Sequence, residues 1–169
     1  DSTIGTPFLH PVLRRPDPRE RPDFVIHSYT KDLVGTGTTT AGVAIARNER
    51  MFLPKGSSLE APGPDGRMRR YDWSDTLFWN VYYVKGAFLD ADKAFEVING
   101  MRTVEVRVLL KAINTMVLAR ALATHPAINV QCSAVEGNEN YALRERLMYL
   151  GLPAPLFTID LDTEMGRRI

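Results

Sequence analysis

The hydrophobic pattern predicts two neighbouring strands in the first third of the chain. Residues 23–27 and 41–46 have the length and composition of buried strands. The connection between them contains Lys31 and a segment, 35–40, that consists only of glycine and threonine. Glycine allows the tight backbone conformations that such a connection needs. We therefore expect Lys31 to lie at a strand end, between two buried strands.

A helical period appears in the second half of the chain. Apolar residues recur at helical spacing over 104–124 and predict the longest helix. His125 precedes Pro126 and ends this helix, because the residue before a proline avoids helical torsions. Asp90 is a suitable N-cap for a shorter helix, which Gly100 is expected to end.

The C-terminal pattern predicts a strand, a helix and a second strand. The strands correspond to residues 127–131 and 155–161, and the helix to residues 139–150. Cys132 follows the first of these strands and has no histidine or aspartate close to it in sequence, so we interpret it as a structural thiol.

Three segments interrupt these elements. Prolines make 8–22 a solvated loop, and the glycine- and proline-rich stretch 51–71 predicts an irregular surface excursion. The aromatic segment 72–85 predicts a short helix capped by Asp72 or Ser74. We expect its aromatic side chains to pack within the protein or, as the second choice, to form an interface. The aromatic pairs at helix-neighbour spacing are Phe78 with Tyr82 and Trp79 with Tyr83.

Composition narrows the function classes. The chain has 169 residues, of which 44% are hydrophobic and 24% are charged, as in an ordinary globular protein. A net charge of +1 gives no bulk electrostatic reason to expect nucleic acid or an anionic membrane as a partner. No apolar run has the length of a transmembrane helix, and Cys132 alone cannot form an internal disulfide. The three histidines lack metal-ligand spacing, so we expect no metal site.

Lys31 is the candidate reactive residue. A lysine just beyond a strand is usually a solvated turn residue, and Lys31 taken alone favours that interpretation. A desolvated lysine amine, however, is a nucleophile towards carbonyls. The hydroxyl residues Ser28 and Thr30 closely precede Lys31 in the sequence, and hydroxyls are suitable donors to a phosphate.

The neighbouring residues resemble a family signature. The trans-sulfuration family, the pyridoxal-phosphate enzymes of cysteine and methionine metabolism, has an Asp-x-Thr-x-x-Thr-Pro segment followed by a strand that ends in His-Ser-x-Thr-Lys. A second family pattern, with glycine, threonine and arginine in the same order, lies about 70 residues further on. The matching residues are Asp1, Thr3, Thr6, Pro7, His27, Ser28, Thr30 and Lys31, and then Gly100, Thr103 and Arg107.

The resemblance implies a cofactor site for pyridoxal 5′-phosphate. Lys31 would be the Schiff-base lysine, and Asp1 would be the partner of the pyridine nitrogen. Ser28 and Thr30 would help to hold the phosphate, and Thr3 would sit beside the cofactor ring. Beyond the lysine the chain departs from the family pattern.

The resemblance also implies the fold. We expect part of the α/β fold type I of pyridoxal-phosphate-dependent transferases. Residues 1–112 would be the C-terminal part of the cofactor-binding domain, and residues 113–169 the linking helix and the start of the small C-terminal domain. We expect an internal segment of a longer protein, with little or no turnover by itself.

The implied function is elimination or replacement at the β or γ carbon of an amino acid. The substrate would be of the homocysteine, cystathionine, methionine or O-acylhomoserine type, and the sequence does not separate lyase, synthase and sulfhydrylase members. The implied partners are the remaining segments or subunits of the same enzyme, a homotetramer in the cytoplasm. The alternative is a non-catalytic subunit, scaffold or fragment with the same fold.

Overall fold

A computed structural model describes residues 1–46, 53–76, 79–86 and 88–161 of the chain. Within these ranges the strands form three separate antiparallel pairs, and the longest helix runs between them along the sequence. No helix in this part of the chain combines the length and the apolar character needed to cross a bilayer.

The first strand pair is the one predicted. Strand β1 is Phe24–Ser28 and strand β2 is Gly42–Ala46, and the two pair antiparallel along their whole lengths. Successive side chains of a strand point to opposite faces. Val25 and His27 are buried, whereas Phe24 and Ile26 on the other face are about half exposed.

The expected burial around Lys31 is therefore wrong for the described residues. Only one face of β1 is covered, most of β2 is exposed, and the Lys31 side chain is exposed as well. The reason is that β1 and β2 form a two-stranded ribbon, in which His27 on the buried face of β1 contacts the N-terminal segment and the other face is left open.

Helix α1, Thr6–Leu9, comes first in the sequence and packs against the long helix α3, Val104–Leu122. Val108 and Ala112 on α3 are completely buried against Leu9 and Leu152. The predicted long helix is confirmed, and its buried positions recur three to four residues apart, as helical geometry requires.

Helix α2, Ala91–Met101, precedes α3. The Asp90 carboxylate accepts a hydrogen bond from the Lys93 backbone N–H at 2.9 Å, which confirms the predicted N-cap. Gly100 does not end α2 by a left-handed conformation, because it lies within the helix. Its role is close approach to another segment, described below.

The C-terminal elements form the second core cluster. Strands β5, Ile128–Gln131, and β6, Thr158–Leu161, pair antiparallel beside the end of α3, and helix α4, Tyr141–Leu147, lies between them in sequence. Cys132 is a free thiol, 4% exposed, and packs with Ala119 in this cluster. Helix α4 is shorter than predicted and is followed by a separate 3-10 turn, Tyr149–Gly151.

The prediction of an irregular excursion at 51–71 is wrong for its described part. Strands β3, Ser58–Pro62, and β4, Met68–Asp72, form a hairpin. The Gly63 N–H donates to the Arg67 carbonyl at 2.8 Å, and Gly66 has a φ of +76°, so glycine supplies the turn. The hairpin depends on backbone pairing rather than on an apolar pattern, which is why the sequence did not reveal it.

The loop at 8–22 also contains more structure than predicted. Two 3-10 turns, Val12–Arg14 and Pro18–Glu20, lie within it. The Asp17 side chain caps the second turn by accepting from the Arg19 backbone N–H at 2.9 Å. Proline at a first helical position costs no hydrogen bond, so prolines interrupt long elements here but permit single turns.

The aromatic segment contains turns instead of one regular helix. Asp72 caps a 3-10 turn, Trp73–Asp75, and a π-helical segment follows at Trp79–Val84. The rings of Trp79 and Tyr83 stack with centroids 5.2 Å apart and an interplanar angle of 24°, which confirms that predicted pair. Phe78, the partner predicted for Tyr82, lies outside the described residues.

Candidate functional site

The first three residues lie beside the end of β1. The Ser2 backbone N–H donates to the Ile26 carbonyl at 3.0 Å, and the Ser28 N–H donates to the Thr3 hydroxyl oxygen at 2.9 Å. The His27 Nδ1 donates to the Ser2 carbonyl at 3.1 Å, so the proton of a neutral His27 ring resides on Nδ1. Two segments of the predicted signature, about 25 residues apart in sequence, thus meet at one place.

The Asp1 carboxylate is fixed locally by the same segment. Its Oδ1 accepts from the Thr3 backbone N–H at 2.7 Å, and the residue is exposed. Thr3 is 8% exposed, and its hydroxyl oxygen already accepts from Ser28. Thr3 therefore joins the Asp1 segment to the end of β1, and its hydroxyl proton remains available to a ligand.

The chain turns directly after β1. Residues Tyr29–Leu33 form a π-helical turn that Lys31 interrupts with a φ of −91° and a ψ of −134°. The Gly35 N–H donates to the Lys31 carbonyl at 2.8 Å and closes the turn behind the lysine. Lys31 thus presents its side chain at the end of the strand on a turn that is not a regular helix.

The two predicted phosphate ligands differ in availability. The Thr30 hydroxyl donates to the Ala41 carbonyl at 3.3 Å and accepts from the Ala41 N–H at 3.1 Å, so it fastens the lysine turn to the start of β2. Among the described residues, the Ser28 hydroxyl makes no capping hydrogen bond to the turn that follows. The two residues are both half-buried, but the Thr30 hydroxyl must release the Ala41 carbonyl to donate to a ligand, whereas Ser28 has no capping bond to give up.

The second sequence pattern lies immediately behind the lysine turn. Arg107, on α3, donates to carbonyls of residues 32 and 34, and Gly100 on α2 lies against Val34. An ion pair joins Lys111, one turn further along α3, to the Asp32 carboxylate. The sequence pattern identified Gly100 and Arg107, but a 79-residue separation left no signal for the pairing of Asp32 with Lys111.

Burial lowers the pKa values of the two histidines next to the site, His27 and His10. Desolvation lowers the pKa of His27, and the bond to the Ser2 carbonyl only partly opposes it. Desolvation also lowers the pKa of His10, with a further contribution from Arg15, and the His10 Nδ1 lies 3.1 Å from the Ser2 hydroxyl. Both rings are thus kept neutral and take part in holding Ser2.

This set of groups fits pyridoxal phosphate. An aldehyde needs an amine, which Lys31 carries, and a protonated pyridine nitrogen needs a carboxylate, which Asp1 carries. A phosphate needs hydrogen-bond donors, and Ser28 has a hydroxyl without a cap partner in this turn. The hydrogen bonds through Thr3 and Ser2 bring the Asp1 segment to the strand that leads into Lys31.

Curated relatives of the chain are methionine gamma-lyases. The L-methionine gamma-lyase of Fusobacterium nucleatum is 24% identical over 149 residues, which are 88% of this chain and 31% of the relative. The L-methionine gamma-lyase of Pseudomonas deceptionensis is 28% identical over 167 residues, which are 98% of this chain and 35% of the relative. The chain thus spans about a third of the length of these relatives.

Solved structures confirm the predicted fold. The structure of a putative O-acetylhomoserine (thiol)-lyase from Campylobacter jejuni matches with a TM-score of 0.73 and 20% identity. It is matched over 99% of this chain and 43% of its own, and it contains N′-pyridoxyl-lysine-5′-monophosphate. The apo methionine gamma lyase of Micromonospora echinospora matches with a TM-score of 0.69 and 19% identity, over 96% of this chain and 37% of its own. The described elements are therefore part of an α/β fold type I domain.

A family model covers almost the whole chain. It is described as the Cys/Met metabolism PLP-dependent enzyme family and matches residues 1–167. The match confirms the predicted family and the predicted cofactor of that family, pyridoxal 5′-phosphate (PLP). The chain therefore belongs to the PLP-dependent enzymes of cysteine and methionine metabolism.

Proposed function

We propose that this chain carries the cofactor-binding lysine of a PLP-dependent enzyme that eliminates or replaces a β or γ substituent of an amino acid. The substrate is of the homocysteine, cystathionine, methionine or O-acylhomoserine type. The observation that carries the proposal is the hydrogen bond from Ser28 to Thr3, which brings the Asp1 segment to the strand end that leads into Lys31. Methionine gamma-lyase relatives support the substrate class.

Each residue of the site has a defined task in this proposal. When bound, PLP withdraws electrons from the α carbon of the amino-acid substrate. Lys31 would hold the cofactor through its aldehyde, and the substrate amino group would replace the lysine there. The Lys31 amine freed in this way would take the α proton of the substrate and deliver protons to the neighbouring carbons. The Asp1 carboxylate would hold the proton on the pyridine nitrogen, Ser28 and Thr30 would donate to the phosphate, and Thr3 would sit beside the ring.

The proposal includes the rest of the enzyme as partner. The chain spans about a third of its curated relatives, and an apolar row on α3 supports contact with further segments or subunits, as in a homotetramer. This row is strongly exposed in the described part of the chain; its members are Val106, Leu110 and Val117, with 72%, 58% and 61% exposure. We place the enzyme in the cytoplasm and the domain boundary at residues 112 and 113, within α3.

Reductive trapping tests the role of Lys31. The purified full-length protein is incubated with PLP, reduced with borohydride, digested and analysed by mass spectrometry. We expect a pyridoxyl adduct on the peptide that contains Lys31. Lys31→Arg should abolish the adduct, whereas Lys85→Arg, at an exposed position outside the site, should leave it unchanged.

The opposite result has an equally definite meaning. If wild-type protein with PLP gives no adduct at Lys31, the lysine has no covalent role, and the non-catalytic alternative replaces the proposal. An adduct at Lys31 without turnover of any sulfur amino acid would retain the cofactor role and reject the reaction.

A further inference from the structure

We propose that Arg107 is a positioning residue for the cofactor-binding lysine. Its guanidinium holds residues 32–35, directly after Lys31, and thereby fixes the backbone from which the Lys31 amine reaches the cofactor. This inference rests on the proposed role of Lys31. It adds Arg107, a residue that has no contact with the cofactor in that proposal.

The guanidinium of Arg107 joins three parts of the chain. Its Nη1 donates to the Asp32 carbonyl at 2.9 Å, and its Nη2 donates to the carbonyls of Gly100 at 2.9 Å and Val34 at 3.4 Å. Its Nε donates to the Thr103 hydroxyl at 3.0 Å, which orients the plane of the group. Arg107 therefore connects the end of α2 and the start of α3 to the lysine turn.

The held carbonyls are coupled directly to Lys31. Asp32 follows Lys31 in the chain, and the Gly35 N–H donates to the Lys31 carbonyl at 2.8 Å. Lys31 departs from helical torsions, and the turn around it carries the backbone hydrogen bonds from Val34 to Tyr29 at 3.2 Å and from Gly35 to Lys31 at 2.8 Å. The bonds from Arg107 tie this turn to α2 and α3, and the ion pair between Lys111 and the Asp32 side chain adds to that restraint.

Gly35 provides a second, independent observation. It has a φ of +75°, and a Cβ built there would lie 2.9 Å from Nη2 of Arg107 and closer still to the rest of the guanidinium. A side chain at residue 35 would have to displace the guanidinium, and the positive φ would strain its backbone. Glycine at this position therefore permits both the turn and the close approach of Arg107.

The task suits arginine rather than lysine. A guanidinium is planar and presents several donors in a fixed fork, whereas an ammonium is a compact charge on a flexible stem. Among the described residues, Arg107 donates to three carbonyls and one hydroxyl, and none of these acceptors is a carboxylate. Its contribution is therefore geometric, so Arg107→Lys should restore only part of it.

Two arginines of α3 allow a matched experiment. Arg107→Met is compared with Arg120→Met, because Arg120 also donates to a backbone carbonyl, that of Ala134 at 2.9 Å, far from Lys31. Hydrogen exchange of the peptide 29–36 is measured in the full-length protein without cofactor. We expect Arg107→Met to accelerate this exchange at least several-fold and Arg120→Met to leave it unchanged. The exchange of a peptide around Ala134 should accelerate in Arg120→Met and stay unchanged in Arg107→Met.

Trapping at Lys31 provides the second readout. A displacement of about 1 Å can reduce the rate of a positioned reaction by about a hundredfold. We therefore expect Arg107→Met to slow borohydride-trappable adduct formation at Lys31 by roughly tenfold or more, Arg107→Lys to be intermediate, and Arg120→Met to match wild type. If Arg107→Met does not fold, Thr103→Val replaces it, since it removes the hydroxyl that orients the guanidinium, together with that hydroxyl's long hydrogen bond to the Gly100 carbonyl at 3.4 Å.

The outcomes separate this inference from the proposed function. The positioning role is overturned if peptide 29–36 of Arg107→Met exchanges at the wild-type rate, whatever the cofactor does. Where Arg107→Met does not fold, the same result in Thr103→Val overturns it. Normal adduct formation in the same variant overturns it as well. The absence of any adduct in wild-type protein rejects the proposed function, and the exchange comparison still decides whether Arg107 orders the turn.

Discussion

Gly100 is a helical residue whose missing side chain lets two segments meet. A Cβ at this position would lie 2.6 Å from the Cα of Val34, in the turn that follows Lys31. Carbon atoms in contact need about 3.5–4.0 Å, so no side chain fits there. The glycine therefore lets α2 approach the lysine turn, and its own carbonyl accepts a hydrogen bond from Arg107 at 2.9 Å.

Gly100→Ala should destabilise the protein although alanine is the better helix former. Replacing a helical glycine normally stabilises by about 0.5–1 kcal/mol, whereas overpacking costs about 1–3 kcal/mol. We expect the clash with Val34 to dominate and to lower the midpoint of thermal unfolding. Asn99→Ala, the neighbouring change to the same residue, serves as control and should be neutral or stabilising. A higher midpoint in Gly100→Ala would show that the turn moves freely away from α2.

The site residues show where sequence reasoning ended. The family pattern identified Lys31 and Arg107 without indicating any link between them, because the contacts of Arg107 with the turn after Lys31 join segments more than 70 residues apart. Ser28 and Thr30 appeared equivalent as phosphate ligands. Only the structure distinguishes them, since the Thr30 hydroxyl bonds Ala41 on the opposite side of the loop.

At the scale of elements, helix α2 carries the surface against which the lysine turn rests. Its first turn depends on the Asp90 carboxylate, which accepts from the Lys93 N–H at 2.9 Å. Asp90→Ala removes this acceptor and should cost about 1 kcal/mol of local stability. Asp90→Ser retains a capping oxygen and should recover most of the loss.

Hydrogen exchange of the first turn of α2 measures this effect directly. Exchange in Asp90→Ala should accelerate by roughly fivefold, the equivalent of about 1 kcal/mol in local opening. Equal exchange rates in Asp90→Ala and Asp90→Ser would mean that the side-chain cap contributes nothing and that contacts with the lysine turn alone hold the helix.

The elements differ in how far the sequence predicts them. Helix α3 and strands β1 and β2 have strong apolar patterns, and the structure has them within one or two residues of the predicted positions. The β3–β4 hairpin has no such pattern: only Ala61 is buried, and residues of β4 such as Arg69 and Arg70 are exposed. Backbone pairing and two glycines in the turn determine it, and neither gives a hydrophobic period.

At the scale of the whole molecule, the site depends on tertiary docking of the N-terminal segment. Asp1 and Thr3 reach the end of β1 because Ser2 is held between the Ile26 carbonyl and two histidines, His10 and His27. Family resemblance predicted that these segments belong to one site. It could not predict that neutral histidines hold them together, because the burial of His10 and His27 is a property of the folded chain.

Stability should therefore fall on mild acidification. Burial lowers the pKa of His27 in the folded state below its ordinary value of 6.5, so the unfolded chain binds the proton first. The stability that neutral His27 contributes is complete above about pH 6.5 and is lost as the pH falls below that value. The pKa of His10 is also lowered, by burial and by Arg15, and it acts in the same direction.

Thermal unfolding between about pH 8 and pH 5 measures this loss of stability. Carboxylates ordinarily titrate below this range. His27→Asn retains a donor near the Nδ1 position and should flatten the decline, whereas His125→Asn, at an exposed position, should not. An identical decline in wild type and His27→Asn would place the acid sensitivity elsewhere and remove His27 from the docking of the N-terminal segment.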